Sequence, residues 1–420
     1  MDKFVIRGGR KLSGTIPIGG AKNATLALMP AALLAGGTYR LTNTPLLRDV
    51  NTMAALLRSM GVTTDLQDHV LTLDTARVAH FEAPYEHVKK MRASIYVLGP
   101  LVARYGRARV SLPGGCAWGP RPVNLHLEGI RKLGAEVELS GGYIVARAER
   151  LRGARIHFDV SSVGATGNVL MAAVLAKGTT VVQNAAIEPE ITALARFLAS
   201  MGARIQGIGT NRLEIEGVDE LHPADAETIP DRIEAGTFLL AAAITHGNIT
   251  LTNVNPDHLT AVITKLEDAG CVLTTTPTTV MLATPDGLRG VDVTAAIYPG
   301  FPTDMQAQWT ALMAVAGGTS VVTDSIYLDR FKHVPEMLRL GADIELKENS
   351  AIVRGVPRLT GAKVMSTDLR ASASLILAGL VAEGVTEVLR VYHIDRGYES
   401  VERKLRGVGA DIERVSGEEF

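Results

Sequence analysis

The sequence predicts an α/β protein built from six copies of one unit, arranged as two lobes of three units. The main observation is that a helix-like segment ending in glycine, followed by a strand-like segment, recurs about every 70 residues. A fixed period of this kind is typical of repeat architectures. The glycines that end these helices are Gly61, Gly134, Gly202, Gly270, Gly341 and Gly409. Each suits the left-handed position that closes a helix.

A second series of glycines ends the other helix of each unit, 23 to 28 residues earlier. Its members are Gly37, Gly106, Gly178, Gly247, Gly318 and Gly384. Each unit therefore reads helix, strand, helix, strand, usually with one further strand. The first helix is apolar on most faces, which indicates burial inside a layered domain, whereas the second carries more charge and is expected outside.

The two ends of the chain are expected to belong together. The last unit, which starts at Asp368, is about twenty residues short, and the first twenty residues are strand-like without a helix. We therefore predict that the N-terminal stretch completes the sixth unit. The predicted lobes are residues 22–229 and residues 1–21 with 230–420. Crossings near Gly20–Lys22 and Ile229–Asp231 predict a hinge, with a cleft between the lobes.

The charge balance excludes several classes of protein. The 420 residues include 43 lysines and arginines against 44 aspartates and glutamates, so we expect no nucleic-acid partner and no membrane partner. The N-terminus lacks the apolar stretch of a signal peptide. No apolar run is long enough to span a bilayer, and we expect a cytoplasmic protein.

The familiar cofactor and metal motifs do not occur in the sequence. There is no Walker A motif, no strand–GxGxxG–helix unit and no HExxH pair. The two cysteines, Cys116 and Cys271, form no disulfide framework and have no histidine at zinc-ligand spacing. Cys271 follows a helix-ending glycine, where the other units carry Ala or Val, and is expected in the core. We predict chemistry that uses no cofactor and no metal.

A glycine- and proline-rich stretch, Ser111–His126, contains the other cysteine. A single cysteine is more often buried and inert. Arg121, the nearby Arg92 and the helix start that follows would each favour the thiolate of Cys116. The second unit spans 28 residues between its two glycines, against 23 to 25 in the others, and the excess falls here. Insertions in repeats often map to the binding face, the alternative being a neutral loop expansion, and we predict a reactive cysteine on a moving loop.

Cations stand at the starts of three first helices, where they oppose the helix dipole. These are Lys22, Arg92 and Arg370. An anion held by the free backbone N–H groups would explain them. Loops before the second helices add further arginines, and the cations expected to converge on one polyanion are Lys22, Arg92, Arg121, Arg330, Arg370 and Arg396.

Acidic and hydroxyl side chains also occur at helix starts. Asp304 is a carboxylate among the predicted cations, and in a closed cleft it can act as a general base. Asp231 and Thr367 are predicted to be helix N-caps, because Ser, Thr and Asp commonly fill that position.

Eight short motifs are distributed over the whole chain and are specific in combination. They are GGAKNA (19–24), MRAS (91–94), LPGGCA (112–117), RPV (121–123), SVGAT (162–166), PTDMQ (302–306), TDLRA (367–371) and DRGYE (395–399). With these motifs the chain resembles the UDP-N-acetylglucosamine 1-carboxyvinyltransferases, a family of enolpyruvyl transferases. The resemblance implies an inside-out α/β barrel of two lobes with three units each, in agreement with the repeats.

The resemblance also implies a reaction. The enolpyruvyl group of phosphoenolpyruvate passes to the 3-hydroxyl of UDP-N-acetylglucosamine and phosphate leaves, which is the first committed step of peptidoglycan precursor synthesis. The reaction runs by addition and elimination through a tetrahedral intermediate, with an open-to-closed movement of the lobes. Cys116 resembles the general acid, which also forms a covalent phospholactoyl adduct and is the target of the inhibitor fosfomycin. Asp304 resembles the base for the sugar hydroxyl.

The remaining site residues follow from the same resemblance. Lys22 and Arg396 complete the implied catalytic set. The residues implied for phosphoenolpyruvate are Lys22, Asn23, Arg121, Arg330, Arg370 and Arg396. Those implied for UDP-N-acetylglucosamine are Asn23, Arg92, Arg121, Pro122, Val123, Ser162, Val163, Gly164, Asp304, Ile326 and Asp368.

Three positions depart from the pattern of the family, and two other functions compete with it. Trp118 stands where Ile is usual, Asn124 where Asp is usual, and Val160 replaces a Lys found in some members, which bears on loop closure and UDP binding. One competitor is an enzyme like 3-phosphoshikimate 1-carboxyvinyltransferase, which has no loop cysteine. The other is a UDP-sugar-binding paralogue without turnover, against which Cys116 and Asp304 argue.

Overall fold

The computed structural model describes residues 2–113, 123–285 and 287–416, in which short strands alternate with short helices. The strands are β1 (Asp2–Arg7), β2 (Ser13–Pro17), β3 (Thr38–Thr42), β4 (Thr63–Gln67), β5 (Val70–Asp74), β6 (Glu82–Ala83), β7 (Arg107–Ser111), β8 (Glu136–Ser140), β9 (Tyr143–Arg147), β10 (Arg155–His157), β11 (Thr179–Gln183), β12 (Arg204–Gln206), β13 (Arg212–Glu216), β14 (Ala226–Glu227), β15 (Asn248–Thr252), β16 (Val272–Thr276), β17 (Thr279–Ala283), β18 (Val293–Ala295), β19 (Thr319–Asp324), β20 (Asp343–Lys347), β21 (Ser350–Arg354), β22 (Lys363–Met365), β23 (Val385–Leu389) and β24 (Asp411–Ser416). The α-helices are α1 (Lys22–Ala31), α2 (Arg48–Ser59), α3 (Tyr85–Val88), α4 (Leu98–Tyr105), α5 (Asn124–Lys132), α6 (Val163–Ala173), α7 (Pro189–Ser200), α8 (Arg232–Ile244), α9 (Thr260–Asp268), α10 (Gln306–Met313), α11 (Val334–Arg339), α12 (Leu369–Gly379) and α13 (Val401–Gly407).

The strands of the described ranges form six four-stranded sheets of one design. In each sheet an edge strand runs parallel to its neighbour, and the other two pairs are antiparallel. The strand orders are β14-β3-β5-β4, β6-β7-β9-β8, β10-β11-β13-β12, β2-β15-β17-β16, β18-β19-β21-β20 and β22-β23-β1-β24. The prediction of six repeated units is confirmed.

The N-terminal stretch is divided between two of these sheets. β1 pairs antiparallel with both β23 and β24, so that Phe4 lies opposite Val388 on one side and Arg414 on the other. The first strand therefore completes the sixth unit, as predicted. β2 instead runs parallel to β15 of the fourth unit, with Ile16 opposite Leu251. The prediction that the whole stretch completes the sixth unit is wrong for β2.

A reciprocal exchange of edge strands explains the position of β2. In four units the edge strand precedes the first helix and lies parallel to the strand that follows this helix. β2 precedes α1 but pairs with the strand after α8, and β14 precedes α8 but pairs with the strand after α1. The sixth sheet already has β22 as its parallel edge, whereas the fourth sheet needs β2 because β14 belongs to the first.

The chain divides into two compact units. The continuous unit is residues 20–229, and the split unit combines the residues up to Gly19 with those from Pro230 onward. Each unit contains three of the sheets and has its own apolar core. Large side chains such as Phe158 in the continuous unit and Trp309 in the split unit are fully buried.

The first helix of each repeat lies inside its unit. All eight residues of α10 are buried, and so is every residue of α8 except Arg232. The second helices are more exposed: α9, for example, buries only Val262 and Leu266. Three apolar helices per unit are thus enclosed by sheets and outer helices, which confirms the predicted inside-out α/β architecture.

The helix-ending glycines adopt the predicted conformation with one exception. All six of the series that begins at Gly61 have positive φ, between 87° and 105°. In the other series Gly247 has no positive φ, because His246 takes the left-handed position with φ 49°. A Cβ on Gly247 would lie 2.3 Å from the carbonyl oxygen of Leu12, so close approach of the backbone is what requires glycine there.

Candidate active site

In the split unit, the carboxylate of Asp304 lies between two arginine side chains. Arg330 Nη2 is 2.7 Å from Asp304 Oδ1, and Arg370 Nη2 is 2.7 Å from Asp304 Oδ2. Both arginine side chains are 8% exposed, whereas the Asp304 side chain is 26% exposed. Charge-assisted hydrogen bonds of this length are among the stronger ones in proteins. The structure thus brings three of the predicted site residues into one cluster with partial access to solvent.

The buried helices of the split unit position this cluster. Asp304 belongs to a 3-10 helix, Thr303–Met305, that leads directly into α10. Arg370 is the second residue of α12, which packs against α10 in the core. The start of each helix therefore carries one member of the ion pair. Arg330 lies just before α11 and joins the cluster through its guanidinium.

A buried acid supports Arg330 through a hydroxyl. Arg330 Nη1 donates to Thr303 Oγ1 at 3.0 Å, and the Thr303 hydroxyl donates to Asp324 Oδ2 at 2.6 Å. Asp324 is the last residue of β19 and is fully buried. Its other oxygen accepts from the backbone N–H groups of Ile326 at 2.9 Å and Tyr327 at 2.8 Å. These bonds fix the start of the loop that carries Ile326, one of the predicted sugar-site residues.

A second group of buried polar side chains holds Arg370. Its Nη1 donates to the hydroxyl of Tyr398 at 3.2 Å, and that hydroxyl shares a 2.7 Å hydrogen bond with Thr237. Gln308 Nε2 donates to the backbone carbonyl of Asp304 at 3.0 Å. Burial opposes the charge of Arg370, but the Asp304 carboxylate outweighs it and raises the pKa of the guanidinium. Burial raises the pKa of Tyr398, so its hydroxyl stays protonated at neutral pH.

Two helix N-caps were predicted in the split unit, at Thr367 and Asp231, and the structure gives the first of these roles to Asp368. It is the N-cap of α12, and its Oδ1 accepts from the N–H groups of Arg370 at 2.8 Å and Ala371 at 3.1 Å. The N-cap predicted at Thr367 is therefore wrong by one residue. Asp231 caps α8 as predicted, with Oδ1 accepting from the N–H of Ile233 at 2.8 Å.

Arg396 ends a 3-10 helix, Val391–Arg396, and is partly exposed. The preceding residue, Asp395, accepts two 2.7 Å hydrogen bonds from Arg414. This bidentate pair anchors the end of the 3-10 helix next to the predicted phosphate-binding arginine.

In the continuous unit, Lys22 is the first residue of α1. Its Nζ lies 3.4 Å from Oδ2 of Asp49, whose side chain is only 4% exposed. The neighbouring Asn23 is exposed. The cation thus stands at a helix start, as the sequence predicts, beside a buried carboxylate that the sequence analysis had not identified.

Arg92 and the Ser162–Gly164 segment lie at adjacent helix starts of the continuous unit. Arg92 begins the 3-10 helix Arg92–Val97 that continues into α4. Ser162 is the N-cap of α6, and its hydroxyl accepts from the N–H of Ala165 at 3.3 Å. The hydroxyl of Tyr96 donates to the carbonyl of Val163 at 3.5 Å, which joins the two helix starts.

Several predicted residues fall outside the described ranges. They are Cys116, Arg121, Pro122 and the variant position Trp118. Val123 directly precedes α5, and Asn124 is the first residue of that helix. Val160 is 60% exposed.

Four supporting residues were missed by the sequence analysis. They are Asp49, Thr303, Asp324 and Tyr398. Thr303 and Tyr398 lie inside the quoted motifs, and Asp324 ends an apolar strand, a position where a charged residue is unusual enough to have been noticed. Asp49 gave no such indication, because an acid in the first turn of a helix is ordinary.

Comparison with known proteins identifies the family. A family profile described as EPSP synthase (3-phosphoshikimate 1-carboxyvinyltransferase) matches residues 6–405. The UDP-N-acetylglucosamine 1-carboxyvinyltransferase of Chloroherpeton thalassium is 61% identical over 100% of this chain and 99% of its own length. This chain belongs to the UDP-N-acetylglucosamine 1-carboxyvinyltransferase family. Members from Chlorobium chlorochromatii and Geotalea uraniireducens are 59% and 53% identical, over at least 99% of this chain and 100% of their own length.

Solved structures agree with this family at the level of the fold. The enolpyruvyl transferase NikO from Streptomyces tendae has a TM-score of 0.90 and 27% sequence identity, and the match covers 99% of both chains. EPSP synthase from Acinetobacter baumannii has a TM-score of 0.77 at 20% identity, covering 99% of this chain and 100% of its own. The predicted enolpyruvyl transferase fold is confirmed. Among the described residues, no helix is both long and apolar enough to cross a membrane.

Proposed function

We propose that this chain transfers the enolpyruvyl group of phosphoenolpyruvate to the 3-hydroxyl of UDP-N-acetylglucosamine and releases phosphate. The observation that carries the proposal is the Asp304 carboxylate held by Arg330 and Arg370, because it combines a base with two carboxylate-binding cations. The 61% sequence identity to a UDP-N-acetylglucosamine 1-carboxyvinyltransferase, which extends over the full length of the chain, supports the choice of substrates. The reaction would be the first committed step of peptidoglycan precursor synthesis, in the cytoplasm.

The ion-pair geometry indicates how the base is made available. An aspartate paired with two guanidinium groups is strongly held in the ionised form and is a weak base. In the proposal, the carboxylate of phosphoenolpyruvate binds Arg330 and Arg370, since a guanidinium fork matches a carboxylate in two bonds. In the proposal, Asp304 then shares these cations with the substrate, which weakens their hold on its carboxylate.

The addition step balances its protons between two residues. The sugar 3-hydroxyl oxygen attacks C2 of phosphoenolpyruvate while Asp304 accepts the hydroxyl proton. C3 receives a proton from Cys116, whose role rests on the family resemblance. The product of this step is a tetrahedral intermediate that still carries the phosphate. In the elimination step C3 gives a proton to the Cys116 thiolate left by the addition, the C2–O bond to phosphate breaks and the double bond re-forms. The proton held by Asp304 leaves with the phosphate, so both residues return to their starting state.

Further cations are assigned to the phosphate and carboxylate of phosphoenolpyruvate. Lys22 and Arg396, together with Arg121, are proposed to bind the phosphate, and Arg396 also approaches the carboxylate. Asn23 supplies an exposed amide beside Lys22. Fixed positive charges in a site with little water stabilise the charge that develops on the leaving phosphate.

The start of α6 and its surroundings are assigned to the nucleotide sugar. A helix start offers backbone N–H groups and a favourable dipole to a diphosphate. The residues proposed to contact UDP-N-acetylglucosamine are Asn23, Arg92, Arg121, Pro122, Val123, Ser162, Val163, Gly164, Asp304, Ile326 and Asp368. Fosfomycin is proposed to react with Cys116.

An assay of phosphate release tests the proposal. Phosphate is measured from phosphoenolpyruvate with UDP-N-acetylglucosamine, with shikimate 3-phosphate, and without acceptor, in buffer treated to remove metals. We expect release only with the nucleotide sugar. Phosphate release with shikimate 3-phosphate but not with UDP-N-acetylglucosamine would favour the 3-phosphoshikimate alternative. Binding of UDP-N-acetylglucosamine without phosphate release would favour the non-catalytic paralogue.

A further inference from the structure

A pair of buried hydroxyl groups links Arg370 to helix α8. Tyr398 Oη lies 2.7 Å from Thr237 Oγ1 and accepts from Arg370 Nη1 at 3.2 Å. Thr237 Oγ1 also lies 2.8 Å from the backbone carbonyl oxygen of Ile233, one helical turn earlier. Both hydroxyl-bearing residues are 2% exposed. Each hydroxyl has a single proton, so the surrounding groups decide in which direction this chain of hydrogen bonds runs.

The orientation of the Gln308 amide decides the direction. Its nitrogen lies 3.0 Å from the backbone carbonyl oxygen of Asp304, and a carbonyl oxygen can only accept, so the donor end of the amide must be placed there. The same nitrogen lies 3.2 Å from Tyr398 Oη. The hydroxyl oxygen of Tyr398 is therefore approached by two donors, Gln308 Nε2 and Arg370 Nη1, and neither can accept its proton.

One arrangement of the protons satisfies all of these contacts. Tyr398 donates to Thr237, and Thr237 donates to the backbone carbonyl of Ile233. The lone pairs of the Tyr398 oxygen are then left for Arg370. Burial raises the pKa of Tyr398, which keeps the proton on its hydroxyl at neutral pH. The hydrogen bonds thus run in a fixed direction from the arginine to the backbone of α8.

The surroundings of the two hydroxyls supply no substitute for Thr237. A small cavity beside them is lined otherwise by apolar side chains, among them Phe238, Ile376 and Leu405. Without the Thr237 hydroxyl, the proton of Tyr398 would be buried among donors and apolar groups, and an unpaired buried polar group is costly. The position of Tyr398, and with it that of the Arg370 guanidinium, therefore depends on Thr237.

Tyr398 also fixes the segment that carries Arg396. It follows Arg396 by two residues, and its side chain is buried in the core of the split unit. A Cβ on the intervening Gly397 would lie 2.7 Å from Leu369 Cδ2, so this turn lies directly against the residue that precedes Arg370. Tyr398 thus joins the two arginines that are assigned to the carboxylate and the phosphate of phosphoenolpyruvate.

We propose that Thr237 and Tyr398 are positioning residues, whose hydrogen bonds of fixed direction hold the Arg370 guanidinium where it binds the carboxylate of phosphoenolpyruvate. Neither residue is itself assigned to a substrate. The inference rests on the proposed function and deepens it, since it names buried groups outside the site that set the affinity for one substrate. The chain of hydrogen bonds ends on the backbone of a buried helix, which gives the substrate-binding arginine a rigid support.

Three variants separate the hydroxyl of Thr237 from its packing. Thr237→Val keeps the shape of the side chain but removes the hydroxyl, whereas Thr237→Ser keeps the hydroxyl but removes a methyl group. Thr245→Val is the matched control, because Thr245 is buried at the other end of α8 and its hydroxyl donates to the Ala241 carbonyl at 2.8 Å in the same way. Phosphate release gives kcat and the KM for phosphoenolpyruvate, calorimetry gives the affinity for UDP-N-acetylglucosamine, and thermal melting checks folding.

We expect Thr237→Val to raise the KM for phosphoenolpyruvate about three- to tenfold, as for the loss of one hydrogen bond, with unchanged affinity for UDP-N-acetylglucosamine. Thr237→Ser and Thr245→Val should stay within about twofold of wild type. A role in packing alone predicts the opposite order, because Ser leaves a cavity and Val does not. A higher KM in Thr237→Ser than in Thr237→Val, or wild-type KM in Thr237→Val, would overturn the inference.

Tyr398→Phe completes the test, because it removes the other hydroxyl. Its KM for phosphoenolpyruvate should rise at least as much as in Thr237→Val, and the double variant should be no worse than Tyr398→Phe, since both changes act through one chain. Additive effects would overturn the shared chain, and so would a wild-type KM in Tyr398→Phe, which also decides the matter if Thr237→Val does not fold. Failure of the proposed function is distinguishable, because wild type itself would then release no phosphate, which refutes both.

Discussion

The hydroxyl of Thr303 donates a 2.6 Å hydrogen bond to the buried carboxylate of Asp324. Because this donation fixes the direction of the hydroxyl hydrogen, a lone pair of Thr303 Oγ1 is left for Arg330, which donates to it at 3.0 Å. Asp324, a buried acid that is not itself a predicted site residue, therefore orients Arg330, one of the two arginines that hold Asp304.

Replacing Thr303 with Val should weaken phosphoenolpyruvate binding through Arg330. Val keeps the size of the side chain but removes both hydrogen bonds, so we expect the KM for phosphoenolpyruvate to rise about tenfold. Steady-state phosphate release measures this. Thr323→Val, on the same strand as Asp324, is the matched control, since it removes only the 2.8 Å bond to Ser350 on the neighbouring β21. Equal KM values in the two variants would contradict the role of Thr303.

Replacing Asp304 with Asn should separate chemistry from nucleotide binding. The amide keeps the shape but cannot accept the hydroxyl proton, so we expect turnover to fall at least about 100-fold. Binding of UDP-N-acetylglucosamine by calorimetry should persist. Asp343→Asn, at an exposed ion pair with Arg354, is the control and should be fully active. Near-normal turnover in Asp304→Asn would remove this residue as the base.

Replacing Cys116 with Ser should abolish covalent labelling by fosfomycin and slow turnover strongly, because a hydroxyl is a much weaker acid and nucleophile than a thiol. Intact-mass spectrometry after incubation with fosfomycin measures the adduct. The control is Cys271→Ser: Cys271 is 5% exposed, and burial raises the pKa of its thiol, so this variant should label like wild type. Labelling that disappears only in Cys271→Ser would reverse the assignment.

Stability should fall in mild acid because of two buried histidines. The pKa values of His126 and His333 are lowered to about 3, mainly by burial, whereas an unfolded histidine titrates near about 6.5. Between these values the unfolded chain binds more protons, so the free energy of unfolding decreases as the pH is lowered from about 6.5 towards 3.

His333→Phe tests this pH dependence. Its melting temperature should depend less on pH between 6.5 and 4 than that of wild type, because one neutral buried imidazole is gone. His80→Gln, at an exposed position, should keep the wild-type slope. An unchanged slope in His333→Phe would show that other groups dominate the acid response.

The repeated architecture could be predicted because it is written in local patterns. Glycine at each helix end and apolar first helices depend on residues close in sequence, and the structure confirms both. Lys22, Arg92 and Arg370 could be placed at helix starts from the same local patterns. They stood out as candidate anion-binding residues because a cation opposes the helix dipole there. The reaction and substrates came from motif resemblance.

Other features depend on contacts between distant segments. The pairing of β2 with β15 joins residues more than 200 positions apart, so no local pattern predicts it. The bridge from Arg330 through Thr303 to Asp324 likewise joins three separate segments. At α12, Asp368 and Thr367 are both good N-caps by residue type, so backbone geometry had to decide between them.

The position of β1 constrains the order in which the protein can fold during synthesis. Lys3 meets Glu387, 384 positions later, so the first strand leaves the ribosome long before its partners exist. The continuous unit has all of its strands once Glu227 is made, and it can fold while the split unit is still incomplete. Until β23 and β24 have been made, β1 is an exposed, unpaired strand, and the nascent chain must be kept from aggregating through it.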